Sequence, residues 1–142
     1  MPQLVFINLP VTDLAKSIAF YKAVGATQNL QFSDDTAACM VLSEQIHVML
    51  LTHAKFRQFT TREIPDAKKS AQALIAINRD SKEAVDKAVA DATAAGGGAD
   101  PTPTQDLGFM YGRSYDDPDG HIWEVFWMDP AAVQGGDGET AA

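Results

Sequence analysis

One acidic residue near the end of the chain lies among apolar residues in a pattern typical of a β-strand. Over residues 121–128 successive side chains alternate between the two faces of the predicted strand. Glu124 therefore shares its face with Ile122, Phe126 and Met128. A carboxylate among apolar groups needs a partner, a metal ion or a raised pKa. Glu124 is thus the candidate catalytic residue, a general base that removes a proton beside a carbonyl group.

The turn before this strand decides which residues face the same way as Glu124. The composition of Asp117-Pro118-Asp119-Gly120 is typical of a turn, so residues 108–128 are predicted to form a β-hairpin. If the loop has an even length, three residues of the preceding strand share the face of Glu124: Tyr111, Arg113 and Tyr115. An odd loop turns Arg113 outward.

Arg113 leaves two alternatives for Glu124. In one, the two side chains form a buried ion pair that holds the hairpin together and has no chemical role. In the other, Glu124 is the base and Arg113 binds a carboxylate or phosphate of the ligand. Asn8 either orients a ligand carbonyl or is a satisfied core amide. Tyr111 and Tyr115 serve either as packing residues or as acids of the site.

The histidines and the single cysteine are expected outside the site. His47 and His53 fall on the strand face opposite Leu50. His121 falls on the face opposite the candidate base, so all three histidines are expected away from the pocket. Cys39 has no activating neighbour in the sequence and is expected to be an inert core thiol.

Composition and charge narrow the classes of function. The 142-residue chain is 46% hydrophobic and 21% charged, which is ordinary for a globular protein. A net charge of −8 argues against a nucleic acid partner and is compatible with a cationic ligand. No apolar run reaches about 18 residues, so no membrane partner is expected. With one cysteine, a cytoplasmic location is expected.

The elements that must position these residues occur twice. The first half of the chain has a buried strand, then a helix that begins at Asp13, then further strands. The second half repeats this order, with a strand, a helix that begins at Asp80-Ser81 and the hairpin. The sequence thus predicts two copies of one strand–helix–strands unit. The predicted divisions are a first module over residues 1–55, a connecting segment over 56–70, a second module over 71–130 and a flexible tail over 131–142.

Two motifs in these units resemble those of a known family. Residues 11–21 with Gly25 are similar to the opening motif V-x-D-L-x-x-S-x-x-F-Y-x-x-x-G of the vicinal oxygen chelate superfamily. Residues 117–124 are similar to its closing motif D-P-D-G-x-x-x-E. That superfamily includes glyoxalase I, bleomycin-resistance proteins and extradiol dioxygenases. The resemblance implies an α+β fold, in which two β-α-β-β-β modules form a cup-shaped mixed sheet, and a homodimer. Residues 37–41 and 108–114 look like a bacterial subgroup described as predicted lactoylglutathione lyases.

The resemblance also implies where a divalent metal ion would bind. Members of the superfamily hold the metal with four side chains, which correspond here to Phe6, Leu50, Leu74 and Glu124. Gln72 takes the third position if the register shifts by two residues. Phenylalanine and leucine cannot bind Zn²⁺, Ni²⁺ or Fe²⁺, so the metal site is degenerate and no catalytic metal cofactor is expected.

Two functions remain. The first is a glyoxalase-like lyase or isomerase that acts without a metal on a small carbonyl compound, with Glu124 as the base. The second is a non-catalytic protein of the bleomycin-resistance type that sequesters a drug or antibiotic. A third alternative is that the ligand positions are misaligned and a metal binds elsewhere. The expected partner is a small molecule, in a pocket lined by Phe6, Asn8, Leu50, Leu74, Tyr111, Arg113, Tyr115 and Phe126.

Overall fold

The computed structural model describes residues 1–132, so the predicted tail over 131–142 falls almost entirely outside the described residues. The strands are β1 (Val5–Val11), β2 (Thr27–Asn29), β3 (Ala37–Val41), β4 (Ile46–Thr52), β5 (Leu74–Asn78), β6 (Gly98–Ala99), β7 (Gln105–Asp106), β8 (Met110–Asp116) and β9 (Ile122–Met128). The helices are α1 (Leu14–Ala23), α2 (His53–Phe56) and α3 (Lys82–Ala94), with a 3₁₀ turn at Leu30–Phe32. None of the helices within residues 1–132 is both long and apolar enough to cross a membrane.

The strands form two mixed sheets with the same internal order. The first sheet has the order β1-β4-β3-β2, and the second has the order β5-β9-β8-β6, with β7 also paired to β8. In each sheet the first strand of the module runs parallel to its last strand, and the other pairs are antiparallel. This repeated arrangement confirms the predicted α+β fold of two related modules with cup-type mixed sheets.

Each module covers one face of its sheet with one helix. Asp13 caps α1 by accepting the Lys16 amide at 3.1 Å, and Ser81 caps α3 by accepting the Ala84 amide at 3.0 Å. The helices α1 and α3 pack against the strands with their apolar sides, and both modules contribute to one core. We call the covered sheet surface the helix face; its buried residues include Leu9, Val11, Val48, Leu50, Tyr115, Trp123 and Val125.

A buried hydrogen-bond network joins the two modules. The Tyr21 hydroxyl on α1 donates to Asp117 Oδ2 at 2.7 Å, and Trp123 Nε1 donates to the Tyr21 oxygen at 3.0 Å. The other Asp117 oxygen accepts the backbone amides of Asp119 and His121, both at 2.9 Å. Burial of these polar groups is tolerated because each has a partner. The network fixes the helix of the first module to the hairpin of the second.

Burial also changes the acid–base behaviour of this network. Removal from water raises the pKa of Asp117, although the Tyr21 hydroxyl bonds its charged form. The pKa of Tyr21 is raised well above its ordinary value by burial and by the nearby Asp117 charge. Because the pKa of Asp117 is higher in the folded state, folding favours its protonated form. This contribution to stability is lost as the pH rises from the usual aspartate range through the raised pKa.

Tyr21→Phe tests how much the buried hydrogen-bond network between the two modules contributes to stability. The substitution leaves Trp123 Nε1 and one Asp117 oxygen buried without a partner, so we expect the free energy of unfolding to fall by about 3 kcal/mol. The matched control is Tyr111→Phe, which removes a 2.6 Å hydrogen bond to the exposed Asp86 carboxylate. That change is expected to cost less than about 1 kcal/mol. Urea unfolding measures the loss of stability in both variants. Equal losses would contradict the role of the buried network in holding the two modules together.

Candidate functional site

The sheet surface opposite α1 and α3 carries the candidate site. On β1, Val11 is buried in the core whereas Phe6 is 49% exposed, and Leu74 on β5 is 52% exposed. Strand alternation and register identify the other residues that point the same way. We call this surface the cup face; its central residues are Phe6, Asn8, His47, Met49, Leu74, Ala76, Ser114, Glu124 and Phe126.

The hairpin of β8 and β9 has an odd loop. Ser114 is the partner of Glu124, and residues 117–121 separate the two strands. The Gly120 amide donates to the Asp117 carbonyl at 2.9 Å, and Gly120 has a φ of +99°. A turn that ends in a left-handed residue adds one residue to the loop. The prediction based on an even loop is therefore wrong, and three predicted site residues lie on the helix face: Tyr111, Arg113 and Tyr115.

Arg113 is bound by carboxylates of the helix face. Its guanidinium lies 2.8 Å from Asp100 and 3.0 Å from Asp86, and the Tyr111 hydroxyl also donates to Asp86. The hydrogen bonds from Arg113 hold the pKa of Asp100 below its usual range, and those from Tyr111 and Arg113 do the same for Asp86. The ion pair between Arg113 and Glu124, one of the two alternatives from the sequence, does not form in the described part of the chain.

Two predicted pocket residues lie in the core instead. Tyr115 is 1% exposed and its ring lies 5.9 Å from that of Phe20. Leu50 is fully buried and is the register partner of Leu9, so the prediction that it faces the cup is also wrong. Both faces of β4 are apolar, and alternation alone could not show which of them meets the helix.

His47 lies on the cup face, where the sequence argument did not expect it. It is the register partner of Phe6, and the two rings stack with centroids 4.5 Å apart and planes 11° apart. The Nδ1 atom of His47 is buried without a hydrogen-bond partner among the described residues. The sequence argument placed His47 by its alternation with Leu50, and the error in the orientation of Leu50 therefore carried over to His47.

The other two histidines lie near the contact between the two modules. His121 has its Nε2 atom 2.8 Å from the Pro10 carbonyl oxygen, and His53 begins α2. Both line a cavity of about 380 Å³ beside the connecting segment. Cys39 is buried, and burial raises the pKa of its thiol, which lowers its reactivity.

Glu124 lies on the cup face between small residues. Its neighbours on the adjacent strands are Ala76 and Ser114, which leave space beside the carboxylate. The Thr102 hydroxyl lies 3.5 Å from Glu124 Oε2. Within residues 1–132 Glu124 has no salt-bridge partner. A carboxylate in this position can accept a hydrogen bond or bind a cation of a ligand.

The remaining predicted residues of the cup face add apolar surface and one amide. Phe126 is paired with Gly112, which has no side chain to pack against it, and is half-buried. Leu74 is the register partner of Ile122 and is half exposed. The Asn8 amide contacts the Phe6 carbonyl at 3.4 Å, a weak local bond that leaves its polar atoms available. The role of these residues in ligand binding stays a prediction.

The cup-face positions that correspond to the family's metal ligands are apolar apart from Glu124. Phe6 and Leu74 are apolar, and the cup-face residues on either side of Leu50 are Met49 and Leu51. Across residues 1–132, no three His, Cys, Asp or Glu side chains lie close enough together to hold a metal. Divalent zinc, nickel and iron need several nitrogen, sulfur or oxygen ligands, which the residues around Glu124 do not supply.

The connecting segment and Asn8 of the cup face line the same cavity. Between α2 and β5 the segment covers this cavity of about 280 Å³, which is lined by Asn8, Phe56, Ala71, Ile75 and Ile122 among others. The backbone of Ala67 and Lys68 approaches the turn at Gly120 so closely that a Cβ atom on Gly120 would lie 2.7 Å from Lys68 N. Glycine at this turn therefore permits the segment to dock.

Known families and structures were compared with the chain. A family model described as Glyoxalase/Bleomycin resistance protein/Dioxygenase superfamily matches residues 3–125. A hypothetical protein from S. aureus is 28% identical with a TM-score of 0.74, over 89% of this chain and 94% of that one. No protein among those with curated descriptions matches the chain.

Two further solved structures share the fold at lower identity. A glyoxalase/bleomycin resistance protein/dioxygenase family enzyme from Burkholderia phytofirmans PsJN has 22% identity and a TM-score of 0.73, over 89% of this chain and 99% of that one. The fosfomycin resistance protein FosX from Mesorhizobium loti has 13% identity and a TM-score of 0.67, over 94% of this chain and 98% of that one.

Gly120→Ala tests the docking of the connecting segment. The new Cβ meets the backbone of Ala67 and Lys68 at 2.8 and 2.7 Å, so we expect a loss of about 3 kcal/mol in stability and faster trypsin cleavage at Lys68. Gly108→Ala is the control, because Gly108 also has a positive φ, +83°, but no atom lies within 4 Å of its Cβ position. The control should cost about 1 kcal/mol without faster cleavage. Equal effects of the two substitutions would contradict the docking.

Proposed function

We propose that this chain, which belongs to the glyoxalase/bleomycin resistance protein/dioxygenase superfamily, binds a small organic molecule on its cup face through Glu124, without a metal ion. The observation that carries the proposal is the environment of the Glu124 carboxylate. It lies among apolar residues beside Ala76 and Ser114 and has no salt-bridge partner within residues 1–132. A ligand that covers this carboxylate must supply a donor or a cation, because an unpaired buried carboxylate is costly.

The apolar part of the ligand would lie on the aromatic and aliphatic surface around Glu124. The stacked rings of Phe6 and His47 offer a flat surface, and Phe126 and Leu74 offer more. Asn8 is the amide that can orient a carbonyl oxygen of the ligand. An apolar surface with a few polar groups is typical of small-molecule sites.

One form of the proposal is an enzyme, a glyoxalase-like isomerase or lyase of the kind implied by the resemblance to predicted lactoylglutathione lyases. A Glu124 oxygen takes the proton from the carbon beside the carbonyl of an α-hydroxycarbonyl compound, and the electron pair of that C–H bond forms an enediolate. The hydroxyl proton of the enediolate then moves to the former carbonyl oxygen, and return of the first proton from Glu124 to the former carbonyl carbon leaves the new carbonyl at the former hydroxyl carbon. The Thr102 hydroxyl, 3.5 Å from Glu124, is positioned to orient the carboxylate.

The second form is a non-catalytic protein that sequesters a drug or antibiotic, as the resemblance to bleomycin-resistance proteins implies. The net charge of −8 and the aromatic surface favour cationic aromatic compounds. The fold is shared with a fosfomycin resistance protein, but at 13% identity that similarity concerns the fold alone.

We also propose a homodimer and a cytoplasmic location. Four apolar residues near the start of β1 and β5 are about half exposed: Leu4 (47%), Val5 (46%), Phe6 (49%) and Leu74 (52%). An apolar surface of this kind favours association with a second copy of the chain. The cytoplasmic location rests on the single cysteine, which gives no opportunity for an intrachain disulfide.

Glu124→Gln distinguishes the two forms of the proposal. If Glu124 is the base, turnover of the hemithioacetal of methylglyoxal and glutathione falls by about 10²-fold to 10⁴-fold while unfolding by urea is unchanged. If the protein only binds, neither form turns over, and the shift in melting temperature produced by cationic aromatic compounds falls in the variant.

The control is Glu83→Gln, an equivalent change at an exposed residue of α3 on the opposite side of the second sheet. It is expected to leave turnover and ligand-induced shifts as in the original protein. Turnover or binding that survives Glu124→Gln unchanged would reject the role of Glu124.

A further inference from the structure

We propose that the ion pair between Asp100 and Arg113, on the helix face, positions Thr102 and Glu124 on the opposite cup face. The inference rests on the proposed function, because it concerns the carboxylate that would contact the ligand. Arg113 and Asp100 are therefore positioning residues that act through an irregular segment at the edge of the second sheet. That segment, residues 100–104, is called the edge bulge below.

The strand register defines the edge bulge. Gly98 and Ala99 of β6 pair with Asp116 and Tyr115 of β8, and Gln105 of β7 pairs with Gly112. Residues 100–104 therefore stand opposite residues 113–114, which leaves three residues more than a regular strand would need. Extra residues in an edge strand bend it and redirect its side chains.

Two residues of the edge bulge, Asp100 and Thr102, bind opposite faces of β8. Asp100 receives two hydrogen bonds from Arg113, at 3.1 Å from Nε and 2.8 Å from Nη2, on the helix face. On the cup face, Ser114 Oγ accepts the Thr102 amide at 3.0 Å and lies 2.8 Å from the Thr102 hydroxyl. That hydroxyl lies 3.5 Å from Glu124 Oε2. One short segment thus connects Arg113 to Glu124 across the edge of the sheet.

The ion pair is made at a residue with an unusual backbone conformation, Asp100. Its φ of +53° is the one positive value at a non-glycine residue within residues 1–132. Aspartate adopts the left-handed conformation more readily than most residues other than glycine, but it remains less favourable than the usual regions, so surrounding contacts help to hold it. The two bonds from Arg113 and the bond from the Asp100 amide to the Ser114 carbonyl, at 2.8 Å, are those contacts. Charge-assisted bidentate bonds are among the strongest that a side chain can make.

Arg113 also has a second carboxylate partner, which provides a matched control. Asp86, on α3, binds Nη1 of Arg113 at 3.0 Å and has no contact with the edge bulge in the hydrogen bonds of residues 1–132. Loss of the Asp86 charge removes an ion pair with the same arginine but leaves Asp100 bound. A change in the NMR signals that occurs when Asp100 is substituted, but not when Asp86 is substituted, therefore reports on the edge bulge.

The test compares Asp100→Asn with Asp86→Asn by NMR in the absence of ligand. Asparagine tolerates the left-handed conformation, so Asp100→Asn removes the charge without new backbone strain. We expect amide exchange at Thr102 to become about tenfold faster or more, and the Glu124 carboxyl carbon signal to shift. Asp86→Asn should change neither. Asp100→Gly, which also permits the positive φ, is a second variant if the first fails to fold.

A double variant shows whether the signal of Glu124 changes through Thr102. Thr102→Val should shift the Glu124 carboxyl signal as Asp100→Asn does, and the two changes together should add nothing further. Thr102→Ser keeps the hydroxyl and should keep the original signal. An unchanged Thr102 amide and Glu124 signal in Asp100→Asn, or equal changes in Asp86→Asn, would overturn the inference.

Failure of this inference is distinct from failure of the proposed function. The NMR signals of Asp100→Asn are measured without a ligand and do not depend on what the cup face binds. If Glu124→Gln leaves binding and turnover intact while Asp100→Asn still shifts the Glu124 signal, the function is rejected and the positioning stands. If Glu124→Gln abolishes binding but Asp100→Asn shifts nothing, the positioning is rejected and the function stands.

Discussion

The buried carboxylate of Asp117 is the interaction on which the arrangement of the molecule depends. One of its oxygens binds Tyr21 of the first module, and the other organises the turn before β9 through the amides of Asp119 and His121. Because hydrogen bonds to charged groups contribute about 1.5–3 kcal/mol each, three of them offset a large part of the cost of burial. The same residue thus joins the modules and sets the length of the hairpin loop. That length decides that Ser114, and not Arg113, lies beside Glu124.

The odd loop has a consequence for the chemistry of the site. An arginine beside Glu124 would have formed an ion pair and left neither charge for a ligand. In the structure Arg113 is bound on the helix face by Asp100 and Asp86, and Glu124 has small neighbours and one hydroxyl. The charge that could have neutralised the candidate base instead holds the edge bulge. The cup face therefore retains an acidic group without a basic partner in the described part of the chain.

The sequence predicted the features that follow from local chemistry. The helix cap at Asp13 and the shared face of Glu124 and Phe126 depend on patterns within a few residues, and the repeat depends on the recurrence of such patterns in the second half of the chain; the structure has each of them. The orientation of Leu50 and His47 could not be predicted, because β4 is apolar on both faces and its contact with the core is set by distant residues. The prediction of an even hairpin loop was wrong because the left-handed Gly120 adds one residue to the loop, and the composition of the turn does not show this. The edge bulge could not be predicted, because the sequence of residues 100–104 has no periodic pattern.

The most direct test of a metal-free ligand site at Glu124 is a crystal structure of the protein purified without chelators, with anomalous data collected at the zinc, nickel and iron edges. We expect electron density for an organic molecule or ordered solvent against Glu124 and Phe126, with no anomalous peak on the cup face. A strong anomalous peak bonded to a Glu124 oxygen would contradict the account. So would a Glu124 side chain that points away from the cup face, because no ligand on that surface could then reach it.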